Sequence, residues 1–167
     1  MDTAQLSTIS DALRELAEAA PADAVDDTAV ANVGADEGVI TVVSTRSMDE
    51  TYNALIQAIT DTGTLGIFRE IDHAMNAASV GLELLPTRLV MFGRPQVGTP
   101  LMVSQASSGI DLPLKAVVYE DADGVVTIAY NDPAWIAERH NITDQDELIA
   151  TITMALGGLS ATAAGLQ

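Results

Sequence analysis

The stretch "KAVVYEDADGVVTIAYNDP", Lys115 to Pro133, joins two runs of β-branched and aromatic residues through Asp121-Ala122-Asp123-Gly124. Short apolar runs either side of an Asp/Gly turn are hairpin chemistry, so these are adjacent antiparallel strands. Asp132 and Pro133 follow as the cap and first turn of a short helix ending at His140. Upstream lie three more runs of strand character, "VITVVS" from Val39, "LGIFREI" from Leu65 and "RLVMFG" from Arg88.

Helical segments separate them. Ser47 with Glu50 three residues on is a capping box. Tyr52, Leu55, Ile56 and Ile59 then share one helical face, and Gly63 stops the helix. Asp72 caps a short helix, "HAMNAASV", closed by Gly81. "TDQDELIATITMALGGLSATA" is the closing helix, with Leu148, Ile152, Ala155 and Leu159 inward and Gly157-Gly158 a place to fray or bend. The order is strand, helix, four strands with small helical inserts, helix. That is α+β and mostly antiparallel.

The same region carries dense matches, in order, to a known family. They are Asp72-His73-Ala74, Gly81 to Leu84, Pro86-Thr87-Arg88, Phe92-Gly93, Pro95, Gly98 to Met102, Asp111 to Lys115, Tyr119-Glu120, Gly124 and Tyr130 to Pro133. Over roughly residues 39 to 142 the chain resembles the family catalogued as domain of unknown function 302. Arg88 stands where lysine or arginine is expected, and Arg94 where asparagine is more usual. The resemblance implies a β-α-β4-α two-layer domain like the TATA-binding protein, and a homodimer. No catalytic set is established for the family, and the resemblance leaves the cofactor unknown.

Residues 1 to 37 lie outside the resemblance. Leu6, Ile9, Leu13 and Leu16 form one helical stripe over residues 3 to 20, ended by Pro21. An acidic linker follows, and a single α+β domain occupies 38 to 167. The stripe packs on its own domain or on another chain.

The chain carries 24 acidic residues against 7 basic ones, a net charge of −17, and Lys115 is the only lysine. Such a surface repels nucleic acid. With 48% hydrophobic residues the chain is not disordered. The balance resembles cytoplasmic proteins of extreme halophiles, whose carboxylates hold water and cations in molar salt. With no basic start, no leader and no apolar run read as long enough to span a bilayer, the expectation is a cytoplasmic protein without a membrane partner. The absence of cysteine excludes disulfides and thiolate chemistry.

"FGRPQVGTPLM", Phe92 to Met102, has the outline of a phosphate loop. It lacks the lysine, and Pro100 has no N–H to donate, so a nucleotide site is rejected. The stretch reads as backbone steering: Gly93 leaves the strand, Arg94 is extended before Pro95, and Thr99 caps a helix beginning at Pro100. A helix start can hold an anion, with Arg94 or Arg88 assisting.

Lys115, Val117 and Tyr119 alternate onto one strand face, with Asp111 just upstream. Lys115 is either half of a Lys-Asp pair or a binding cation. His73 is a capping or packing residue, an acid–base group, or a haem or metal ligand. His140 complements a helix C-terminus. No spacing of a dedicated zinc site occurs. Three functions follow. One is a non-catalytic, homodimeric domain binding a small anion or acidic metabolite through His73, Arg88, Lys115, Tyr119 and Tyr130, with Gly93, Arg94, Gly98 and Thr99 at the rim. Another is an enzyme with His73 as general base and Lys115 as electrostatic stabiliser. A structural module without ligand is a third.

Overall fold

The computed structural model describes residues 38 to 166, so the N-terminal stripe and linker lie outside the described residues. Five strands form one sheet: β1 (Val39–Val43), β2 (Gly66–Asp72), β3 (Thr87–Gly93), β4 (Leu114–Glu120) and β5 (Val126–Asn131). Their order is β1-β5-β4-β3-β2, and every pairing is antiparallel. Strands two to five make a meander, and the first strand returns beside the last. The hairpin that anchors the sequence argument is present, with Ala116 opposite Tyr130 and Glu120 opposite Val126. The α+β expectation holds.

Two long helices cover one face. α1 (Met48–Asp61) starts where the Glu50 carboxylate accepts from Ser47 N–H at 3.1 Å and Ser47 Oγ–H at 2.6 Å. These bonds hold the Glu50 carboxyl below its ordinary value. It buries Tyr52, Leu55 and Ile59. Four short segments sit between the strands or after them: α2 (His73–Ala78), α3 (Pro95–Ser104), a 3-10 turn (Ala106–Ile110) and α4 (Pro133–His140). α5 (Asp146–Ala164) closes the chain and packs on α1. It stays helical through Gly157 and Gly158, where the sequence offers a place to fray or bend. Gly158 is buried, so close packing offsets the low helix propensity of glycine.

The core lies between sheet and helices. Val42, Val90, Phe92, Val118, Ile128 and Tyr130 from alternate strand positions meet Leu55, Ile59, Leu148 and Ile152. Each such side chain contributes about 1.5–3 kcal/mol by leaving water. By the same alternation Ile71, Leu89, Met91 and Val117 point to the other face and fall outside this core.

Gly38 fixes how the chain enters. Its φ is +71°, and a Cβ there would meet the Trp135 ring at 2.2 Å. Only glycine fits so close to an aromatic ring in that conformation.

Candidate functional site

An extended apolar concavity lies at the Gly93 end of β3. It holds about 250 Å3 and is lined by Phe68, Arg94, Val97, Gly98, Met102, Leu112, Pro113, Leu114 and Ile152, with Gly93, Pro95 and Thr99 at its edge. Backbone rules build it. Gly93 has φ +151°, which lets the strand leave the sheet sharply. Arg94, extended at φ −145° and ψ 147° as a residue before proline must be, becomes the N-cap of α3. Pro95 supplies the first helical residue.

That start corrects one expectation. Thr99 does not cap a helix beginning at Pro100. The helix begins five residues earlier, and Pro100 lies inside it. The X-Pro signal occurs twice, at Arg94-Pro95 and Thr99-Pro100. The first wins because Pro95 at the opening turn forfeits no hydrogen bond. Gly98 and Thr99 are therefore helix residues on the wall of the groove, not a turn that precedes a helix.

The other anticipated site residues do not gather here. Arg88 reaches Asp49 at 2.9 Å and Asp72 at 3.3 Å, and lies 5.5 Å over the Tyr52 ring. The Tyr52 hydroxyl donates to Glu70 at 2.9 Å. Burial, then this bond, pushes the Tyr52 phenol far above its ordinary value. Asp72 caps α2 by accepting from Met75 N–H at 2.8 Å. That bond holds its carboxyl below the usual range against the opposing effect of burial, and the Arg88 guanidinium adds to the lowering. His73 opens α2, half-buried, beside this cluster. Tyr130 belongs to the core, 6% exposed, and burial raises its phenol. Tyr119 is half-buried on the opposite sheet face.

Lys115 also faces away from the groove. Its Nζ donates to the carbonyl oxygens of Asp111 at 3.1 Å and Pro113 at 3.3 Å. The expected Lys115–Asp111 carboxylate pair does not form, because Asp111 turns to another partner. Its carboxylate accepts from Arg139 Nη1 at 3.2 and 3.3 Å and meets His140 Nε2 at 2.6 Å. His73 and Lys115 thus do not converge, and the enzyme built on them loses its geometry. Among the described residues no group of His, Asp and Glu is placed to hold a metal ion.

A two-layer α+β domain with an apolar groove at the end of its third strand defines the class: a small single-sheet domain with a recess beside one helix start. Residues 40–159 match the family described as "Domain of unknown function DUF302", and the chain belongs to that family. The fold agrees with a crystal structure of an uncharacterized conserved DUF302 protein from Bacillus stearothermophilus. The TM-score is 0.68 at 21% identity, over 76% of this chain and 98% of that one.

Curated relatives add a different context. Proteins named "Fluoride-specific ion channel FluC 1" from Brucella suis biovar 1 (strain 1330) and Brucella abortus biovar 1 (strain 9-941) are each 38% identical to this chain over 131 residues. A "Fluoride-specific ion channel FluC 2" from Brucella melitensis biotype 1 matches equally. The alignments cover 78% of this chain and 51%, 48% and 48% of those proteins, so the chain spans about half the length of the curated relatives it matches.

These names overturn the expectation of a cytoplasmic protein, since ion channels work in a membrane. The expectation that no apolar run is long enough to span a bilayer is corrected as well. α5 is 19 residues long and apolar enough in composition to cross a bilayer, although in this fold Leu148, Ile152 and Leu156 are buried.

Proposed function

We propose that this domain binds a small ligand with an apolar body and an acidic end in the groove beside α3. The observation that carries the reading is the lining: apolar side chains on nearly every side, with one arginine, Arg94, among them. Apolar walls with a few placed polar groups are the usual make-up of a small-molecule site, and this one sits just below the common range of roughly 300–1,000 Å3. A short-chain carboxylic acid narrows the small anion or acidic metabolite expected from the sequence to one with an apolar tail. Arg88 and Lys115 already hold protein partners, so the groove rather than a cationic cluster supplies the affinity.

The domain acts as a homodimer in this reading. Ile71, Leu89, Met91 and Val117 lie on the sheet face outside the core, with Arg69 and Lys115 beside Met91, and covering it with a second copy removes the apolar part of that face from water. The acidic surface is an adaptation to concentrated salt and turns nucleic acid away.

Thermal unfolding with butanoate, hexanoate and octanoate tests the ligand class. Octanoate should raise the melting temperature most, and octanol less. A midpoint unmoved by the whole series at millimolar concentration contradicts the reading.

A second reading rests on the relatives' names. The domain serves a fluoride channel as an accessory part, within one chain in the Brucella proteins. Fluoride efflux from vesicles holding such a channel, with and without this chain added, tests it. An unchanged rate removes it.

A further inference from the structure

Ser107, His140 and Asp111 form a row that neither the groove nor the family accounts for. Ser107 Oγ lies 2.9 Å from His140 Nδ1, and His140 Nε2 lies 2.6 Å from Asp111 Oδ2. The two inner members are buried, at 9% and 7% exposure, while Ser107 is exposed on the 3-10 turn. Arg139 Nη1 holds both Asp111 oxygens, and the Trp135 ring backs the guanidinium at 5.1 Å. The carboxylate therefore has a fixed place.

The hydrogen-bond roles follow from chemistry. An ionised carboxylate only accepts, so the hydrogen of the neutral imidazole sits on Nε2. Nδ1 then presents its lone pair to the Ser107 hydroxyl. A buried acid orients a buried base, and the base reaches a hydroxyl open to solvent. This is the arrangement that activates a serine, with the two ring nitrogens exchanged relative to the commoner order.

We propose that Ser107 is a nucleophile with His140 as its general base and Asp111 as the positioning residue, and that it cleaves neutral, apolar carboxylic esters. In the forward step Ser107 Oγ bonds to the acyl carbon and its proton passes to His140 Nδ1. The carbon–oxygen bond to the alcohol breaks, and the leaving oxygen takes that proton. Water then attacks the acyl-serine, gives its proton to Nδ1, and the acid departs as Ser107 regains its hydrogen.

The surroundings define the substrate class. Segment 102–110 carries no charged residue, and Val103 and Ile110, which flank Ser107 in the chain, are 70% and 71% exposed. Exposed apolar side chains beside an uncharged nucleophile suit an apolar ester, not a charged one. This inference is independent of the groove ligand.

The whole chain, treated with a fluorophosphonate probe and digested, should carry the label on Ser107. The Ser107→Ala variant should stay unlabelled. His140→Gln should slow labelling by about a hundredfold, the scale of a lost general base. No label on Ser107 overturns the proposal, as does an equal label on Ser108.

A second measurement holds even if His140→Gln unfolds. The protein has no cysteine, so Ser107→Cys and Ser79→Cys each create one thiol. Iodoacetamide should alkylate the former at least about tenfold faster, because Nδ1 draws off its proton. Adding Asp111→Asn should abolish that difference while leaving the Ser79→Cys rate alone. Equal rates at both positions overturn the proposal.

Discussion

Lys115 donates to the backbone carbonyl of Asp111 at 3.1 Å, while the Asp111 carboxylate turns away to Arg139 and His140. Two neighbours in sequence thus tie different elements. Lys115 holds the chain before β4 to that strand, and Asp111 ties the 3-10 turn to α4.

A double-mutant cycle should separate the two ties. Lys115→Met loses two charge-assisted bonds to carbonyls and should cost roughly 1–3 kcal/mol. Asp111→Asn should cost a similar amount or more, since it leaves a buried imidazole and an arginine poorly matched. The coupling between Lys115→Met and Asp111→Asn should be small. That between Asp111→Asn and Arg139→Met should be about 0.5–3 kcal/mol. Denaturant unfolding of the three single and two double variants and wild type checks this, and a large Lys115–Asp111 coupling contradicts it.

Alkaline pH should weaken the fold through Tyr52. Burial and the Glu70 bond raise its phenol above the unfolded value of about 10. The folded state then keeps a proton that the unfolded state releases. Stability is fully present below about pH 10 and falls as pH rises beyond it. Tyr130 acts in the same sense. Tyr52→Phe should cost about 1 kcal/mol at neutral pH and make the alkaline decline shallower. Urea midpoints between pH 8 and pH 11 would show it, and an unchanged slope in the variant removes Tyr52 as the cause.

Stability should rise with salt. The excess of acids, 24 to 7, makes the folded chain repel itself, and at molar salt the screening length falls to about 3 Å. Melting temperatures should climb from dilute buffer to molar KCl. A flat or falling trend contradicts salt adaptation.

The open sheet face should mediate self-association. Leu89 is half-buried at its centre, between β2 and β4. Light scattering should give twice the chain mass for wild type and a single mass for Leu89→Glu. A monomeric wild type contradicts the dimer.

The fold was legible because its signals are local. Alternating runs, the Asp121–Gly124 turn and the Ser47–Glu50 cap each act within a few residues, and together they order the elements. The site was not. The row from Ser107 to Asp111 to His140 joins residues up to 33 positions apart and has no characteristic spacing. Arg88 and Lys115 stood out as rare cations in an acidic chain, but rarity does not say whether a charge faces a ligand or a protein partner. Thr99 was misplaced because two X-Pro pairs offered rival helix starts.

The groove is the centre of the account, and one titration tests it most directly. Gly98 lies on its wall, where a Cβ would stand 3.6 Å from Leu112, so Gly98→Leu fills the recess without a backbone clash. In a helix interior the change from glycine also favours folding. Calorimetric titration with the acid series should show Kd tightening by up to about fourfold per added methylene, as roughly 0.8 kcal/mol per methylene requires. Arg94→Gln should weaken octanoate about tenfold and leave octanol unchanged, and Gly98→Leu should abolish both while melting no lower than wild type. Octanoate binding equally to wild type and to a folded Gly98→Leu variant would contradict the groove as the site.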